Sequence, residues 1–286
     1  MLSNNPLLDG VALKSDNEYS AGESLPAERS PAAVAETPII WRDTFRIRTH
    51  DMDDFWRLRL SALCNALQEV AAAQAQSLGM GSEGLLAHNL TWVLSRIHVR
   101  VAGYPLWGQD IIVETWPSAV SDHFALRDFR ILDADGRPLV IATSSWMVID
   151  LVTKKTRPLP EFIARLHEKC PGRALDDPFD KLPAPGQAPF TRLLEVRRSD
   201  LDLNHHVNFV KTIELGLEAV PCEVWEKRRI SDLEASFRSE IVLGDRVAVR
   251  SGFLSEEEPL RLGHSLLRER DGLEMARLTT TWPAGS

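Results

Sequence analysis

With 286 residues, 44% of them hydrophobic and 26% charged, the chain has apolar material for two modest cores. A formal net charge of −8 argues against a general nucleic-acid binder, which needs clustered cations to neutralise phosphates. Three widely separated cysteines (Cys64, Cys170, Cys222) suggest neither a zinc site nor a disulfide framework, and they fit a reducing compartment.

Residues 1 to 38 are rich in Ser, Ala, Pro and Glu and read as a disordered tail. Asp9, Asp16, Glu18, Glu23 and Glu28 make it a poor transit peptide, and it lacks the basic-then-apolar order of a secretory signal. No apolar run approaches the roughly 20 residues of a membrane-spanning helix. A cytoplasmic protein with no membrane attachment is the expectation.

Residues 39–157 form the first of two predicted units. It opens on Arg48-Thr49-His50-Asp51-Met52-Asp53 and continues into a helix, because Leu60, Leu63, Cys64, Leu67, Val70 and Ala71 recur at three- and four-residue steps. Gly79-Met80-Gly81-Ser82-Glu83-Gly84 fits GxGxxG literally. It follows a helix rather than a strand, so it predicts a helix stop and not a dinucleotide site. Phe124–Ile131 and Leu139–Ala142 predict strands, and Asp135-Gly136 between them predicts a hairpin turn.

Residues 158–188 form a connector dense in proline, where regular ladders cannot persist, with one short helix expected at 161–169. The second unit, 189–283, repeats the first. Arg197-Arg198-Ser199-Asp200-Leu201-Asp202 echoes the opening motif at an offset of 149, as Glu218 echoes Glu69. Val207, Val210, Ile213, Leu217 and Val220 predict a second long helix. Gly244, Asp271-Gly272 and Trp282 then match Gly108, Asp135-Gly136 and Trp146 at an offset of 136, so the first unit holds 13 extra residues between helix and sheet. A long helix wrapped by an antiparallel sheet, occurring twice, is an α+β arrangement of two tandem hot-dog domains.

Several segments in order resemble the acyl-ACP thioesterase family: Trp92-Val93-Leu94-Ser95-Arg96, Tyr104-Pro105-Leu106-Trp107-Gly108, Glu114-Thr115-Trp116, Thr156-Arg157-Pro158-Leu159-Pro160 and Asp200-Leu201-Asp202-Leu203-Asn204-His205-His206-Val207-Asn208. The similarity runs over roughly residues 40 to 283. It implies hydrolysis of fatty acyl-ACP in fatty acid biosynthesis, a fatty acyl carrier protein as partner, an acyl-binding first domain and a catalytic second one. It also implies a catalytic set at Asp202, Asn204, His206 and Glu240. Plant members often carry a cysteine after that glutamate; here the position is Ile241.

Read from the residues alone, Asp202, Asn204 and His206 alternate ahead of the second helix, and an extended segment would point all three to one side. The helix amino end would polarise a thioester carbonyl. Asp202 is favoured as base or nucleophile, with Glu240 and His206 fixing the water at the mouth of an apolar tunnel. The first unit places Asp53, Phe55, Arg57 and Tyr104 at the matching positions, so it reads as a degenerate copy. Adjacent histidines diverge on a strand, so no metal is expected, and no organic cofactor is implied. The absence of a GxSxG elbow argues against a serine triad.

Basic pairs at Lys154-Lys155, Arg197-Arg198 and Lys227-Arg228-Arg229 are candidates for meeting an acidic carrier. Alternatives to the main reading are an acyl-CoA thioesterase, a hot-dog enoyl-thioester hydratase or dehydratase, and a non-catalytic acyl-binding module. A homodimer is a further expectation, since hot-dog sheet edges invite pairing.

Overall fold

Runs that alternate apolar and polar residues become strands here, and the two runs of helical period lie across them. In a computed structural model, which describes residues 40–121 and 123–285, the first half holds β1 (Trp41–Arg46), α1 (Leu60–Ser77), α2 (Ser82–Leu86), β2 (Leu90–Val101), β3 (Asp110–Ser121), β4 (Phe124–Leu132), β5 (Pro138–Asp150) and the two-residue β6 (Thr156–Arg157). A single helical turn, α3 (Glu161–Ala164), lies in the connector, with a 3-10 turn at Leu166–Lys169. The second half holds β7 (Phe190–Glu195), α4 (Phe209–Leu217), α5 (Cys222–Lys227), β8 (Asp232–Phe237), β9 (Arg246–Ser255), β10 (Leu260–Arg268) and β11 (Glu274–Trp282). The expected tail at 1–38 lies outside the described residues.

All the strands join one antiparallel sheet in the order β1-β3-β4-β5-β2-β8-β11-β10-β9-β7, with β6 on β5. That order is a palindrome, because each strand of the second half takes the mirrored place of its counterpart. The register obeys the same two-fold relation. Trp41 faces Thr115 where Phe190 faces Ser251, and Arg96 faces Ser236 where Arg100 faces Asp232. His98 faces Glu234 on the axis itself. The Gly136 and Gly272 turns both have positive φ, +82° and +70°, which glycine adopts without strain.

Two expectations need correction. The long helix of the second half is broken: α4 ends at Leu217, and Pro221 caps the separate α5. Ala72 holds the matching place inside α1, whereas proline has no N–H to give and its ring clashes with the preceding turn. The apolar faces also do not make separate cores. Leu63, Leu67 and Ile97 share one cluster with Ile213, Leu233 and Leu278, because β2 pairs with β8 and α1 packs beside α4. A small satellite of Met80, Leu85, Val148 and Ile163 lies around the extra residues of the first half. There Gly79, at φ +70°, stops α1, and a Cβ on Gly84 would come within 2.1 Å of the Gly79 carbonyl oxygen.

Both helices cover the sheet face carrying Ile97, Val99, Leu233 and Ala235, so the alternate residues His98, Asp232 and Glu234 point to the other face. The connector crosses that outer face. Arg96 donates to Asp180 O at 2.8 Å, Arg277 to Leu182 O at 2.9 Å, and buried Asp128 accepts the Ala174 N–H at 2.5 Å. Among the described residues no helix is long and apolar enough to cross a membrane.

Candidate active site

One aspartate holds each copy of the loop that precedes its helix. In the second half Asp202 Oδ1 accepts the Asn204 N–H at 2.8 Å and the His206 N–H at 3.3 Å. The Asp202 N–H donates to His206 O at 2.8 Å, and Leu201 bridges Val207, closing a tight loop. His205 sits at its tip with φ +63°. The expected extended run is therefore not formed: an Asx loop satisfies these backbone groups locally, and simple alternation of side chains is lost. Asp202 and Asn204 do not cap the helix either. Asn208 does, accepting the Val210 N–H at 2.8 Å while its own Nδ2 donates to Gln68 Oε1 of α1 at 2.8 Å.

Past the loop, the Val207 N–H donates to Ile241 O at 2.8 Å and His206 bridges Val242. These bonds lay residues 240–242 alongside the loop and bring Glu240 Oε2 to 3.2 Å from His206 Nε2. The His206 and Glu240 side chains are 36% and 67% exposed, so water reaches both. The separation is an ion-pair distance, and His206 Nδ1 makes no hydrogen bond among the described residues. Asn204 is exposed at the turn, and its amide makes no side-chain bond among the described residues. Ile241, in the position after the glutamate, is buried in the core and carries no nucleophile.

The first half repeats the loop but not the chemistry. Asp53 Oδ1 accepts the N–H groups of Phe55 and Arg57 at 2.9 and 2.8 Å, Met52 bridges Leu58, and Trp56 takes the left-handed conformation of His205 with φ +58°. Arg57, in the place of His206, pairs with Asp53 at 2.9 Å and donates to Trp225 O at 3.0 Å and Glu226 O at 3.3 Å. Tyr104, in the place of Glu240, donates to Ile230 O at 2.8 Å under the Arg229 guanidinium. The degenerate copy has become a fastening between the halves.

A cavity of about 650 Å³ adjoins this copy, and another of about 730 Å³ lies on the outer face beside His98 and Glu234. Neither is lined by Asp202, Asn204, His206 or Glu240, so the apolar tunnel expected at those residues corresponds to neither cavity.

Sequence reasoning missed a polar cluster on the two-fold axis. His98 Nδ1 lies 2.5 Å from Asp177 of the connector and Nε2 3.0 Å from Asp232, with Glu234 beside them. Burial alone would lower the His98 pKa, but the hydrogen bonds of Asp232 and Asp177 and the charges of Asp232 and Glu234 outweigh it and hold it above the ordinary value. With a carboxylate at each ring nitrogen, the group is a polar clamp tying both half-sheets to the connector. Its members lie 79 and 134 residues from His98, so no local spacing signals it.

Residues 38–166 match the acyl-ACP thioesterase N-terminal domain and residues 184–284 its C-terminal domain. The chain belongs to the acyl-ACP thioesterase family. It is 30% identical over 269 residues to the dodecanoyl-[acyl-carrier-protein] hydrolase of Cinnamomum camphora, covering 85% of this chain and 68% of that one. It is 28% identical over 278 residues to an Arabidopsis thaliana palmitoyl-acyl carrier protein thioesterase, covering 87% of this chain. It spans about 65% of that relative's length. Among solved structures, the 12:0-ACP thioesterase from Umbellularia californica superposes with a TM-score of 0.79 at 27% identity, covering 90% of this chain and 98% of that one. An acyl-ACP thioesterase from Bacteroides thetaiotaomicron gives 0.76 at 26% identity, covering 85% and 97%. The family fold is the double hot-dog seen here.

Proposed function

We propose that this chain hydrolyses fatty acyl thioesters of acyl carrier protein, releasing free fatty acid in fatty acid biosynthesis, with the chemistry at Asn204, His206 and Glu240 of the second half, on a loop held by Asp202. The observation that carries the reading is the His206–Glu240 pair, 3.2 Å apart, where the first-half copy has Arg57 and Tyr104 in the matching places. Family membership supplies the substrate class.

In this reading Glu240 holds the Nε2 proton of His206, and Nδ1 takes a proton from water as that water attacks the thioester carbon. The tetrahedral oxyanion is met by the free Asn204 amide. On collapse the C–S bond breaks, and the imidazolium returns its proton to the departing sulfur, giving a carboxylic acid and the carrier thiol. Asp202 then serves mainly to hold the loop, since Asp53 makes the same two backbone bonds where no such site exists. The acyl chain belongs, in this reading, to the first half.

Of the basic clusters, Arg197 pairs with Asp200 and Arg228 with Glu258, while Lys154, Lys155, Arg198 and Lys227 are exposed without an ion pair among the described residues and are the cations available to an acidic carrier. The two sheet edges, β1 and β7, are where a homodimer would pair. Three free thiols support a reducing, cytoplasmic setting, although the plant relatives are chloroplastic by name. The test is to incubate the protein with a ladder of acyl-ACPs and matched acyl-CoAs and identify the products. Free acids, with higher kcat/KM on the carrier-bound substrates, are expected. Preference for the CoA esters, or formation of enoyl or 3-hydroxyacyl thioesters, overturns the reading.

A further inference from the structure

The two-fold relation allows one half of the molecule to be read from the other. The cavity beside the degenerate copy has two walls. One is the first-half loop, with Asp53, Phe55 and Arg57; the other is α4 of the second half, with Lys211, Glu214, Leu215 and Glu218 at its end. The offset of 149 that relates Asp53 to Asp202, Phe55 to Asn204 and Arg57 to His206 also relates Ala62, Asn65, Ala66 and Glu69 of α1 to that α4 wall.

An observed contact shows that the relation holds at this point. Gln68 of α1 accepts a hydrogen bond from Asn208, just past the second-half loop, at 2.8 Å. Their counterparts, Leu217 and Arg59, both line the degenerate cavity. Hence α1 runs beside the second-half loop as α4 runs beside the first.

The two walls differ in bulk. Ala62 and Ala66 stand where α4 carries Lys211 and Leu215, so α1 presents smaller side chains at the matching positions. Glu69 is exposed, and among the described residues it makes no hydrogen bond or ion pair. A free carboxylate next in the chain to Gln68, which touches Asn208 just past the second-half loop, is suited to accept a hydrogen bond from water.

We propose that Glu69, supplied by the first half, belongs to the active site of the second half and orients the attacking water from the α1 side. Glu69 accepts one water O–H, which turns the water's lone pair toward the thioester carbon, and His206 takes the other proton. The inference rests on the hydrolase reading above. It makes the site composite, with one carboxylate from the half that has Arg57 in the place of the histidine.

The experiment is steady-state hydrolysis of one acyl-ACP by wild type, Glu69→Gln, Glu69→Asp and Glu218→Gln, with thermal unfolding of each. Glu69→Gln is expected to lower kcat roughly 100-fold, with KM within about twofold and an unchanged Tm. Glu69→Asp should recover part of the loss, and Glu218→Gln, the same change at the degenerate copy, should behave as wild type. Wild-type kcat in Glu69→Gln overturns the inference, as do equal losses in Glu69→Gln and Glu218→Gln. A wild type that releases no fatty acid overturns the hydrolase reading itself, and this inference with it.

Discussion

The loops at 53–57 and 202–206 share one backbone and have opposite uses. Each is closed by an aspartate that accepts two N–H groups, and each has a left-handed residue at its tip. In the second, the side chain at the fifth position turns to a water-accessible glutamate; in the first, it reaches into the other half and is tied down by two carbonyls. The lesson is that the repeated motif encodes a loop, and only the residues hung on it decide between chemistry and fastening. Asp202 on its own is therefore a weak functional signal, while His206 with Glu240 is a strong one.

Changing the fifth residue of each loop gives the largest contrast. His206→Gln should lower kcat on acyl-ACP at least about 100-fold with little change in Tm. Arg57→Ala should leave kcat near wild type and lower stability by about 2 kcal/mol, read from urea unfolding, because it strips a part-buried ion pair and two carbonyl bonds. A stable, inactive Arg57→Ala would erase the distinction between the loops.

Next come the shared aspartates. Asparagine keeps the accepting oxygen, so Asp202→Asn should retain kcat within about tenfold, whereas Asp202→Ala should lose about 1 kcal/mol of stability and more activity. If Asp202→Asn proves as inactive as His206→Gln in single-turnover assays, the aspartate is the base and the loop-holding account fails.

The copies also differ in their buried sheet polar groups. At the offset of 136, Asp128 of the first half becomes His264 of the second, held by Ser251 and Thr280 at 2.7 and 2.8 Å. Burial pushes the His264 pKa down to about 3 from 6.5. It stays neutral in the folded state while the unfolded chain protonates, so its contribution is full above pH 6.5. Below that it shrinks by about 1.4 kcal/mol per pH unit until the folded value is reached. His98 works the other way: its pKa is raised, so its contribution is full below 6.5 and is lost as pH rises through the folded value. Urea midpoints across pH 4 to 9 should show a shallower acid slope in His264→Asn and a shallower neutral-to-alkaline slope in His98→Asn than in wild type. Unchanged slopes would remove these groups as the source.

The smallest effect tests the two-fold relation itself. Gly136→Ala and Gly272→Ala should each cost about 1 kcal/mol, and equally, since both turns hold positive φ with nothing near a new Cβ. Unequal losses would show that the hairpins are not equivalent.

The amino-acid sequence by itself determined the repeat, its two offsets, the Asp-Gly turns and the two helix beginnings, because each depends on local spacing or on matching one half to the other; the set Asp202, Asn204, His206 and Glu240 came from its resemblance to the family motif. It misread what depends on the chain folding back. The alternation argument at 202–206 failed because a side chain closed the loop, and the second helix broke at Pro221 although its apolar period continues to Val220. Only the tertiary structure decided that the two apolar faces make one core, that the connector is pinned over His98, and that Glu240 comes within reach of His206. Those outcomes depend on strand pairing between residues far apart in the chain. Spacing fixes which side chains can share an element; the pairing of β2 with β8 and of His206 with Val242 fixes which ones meet.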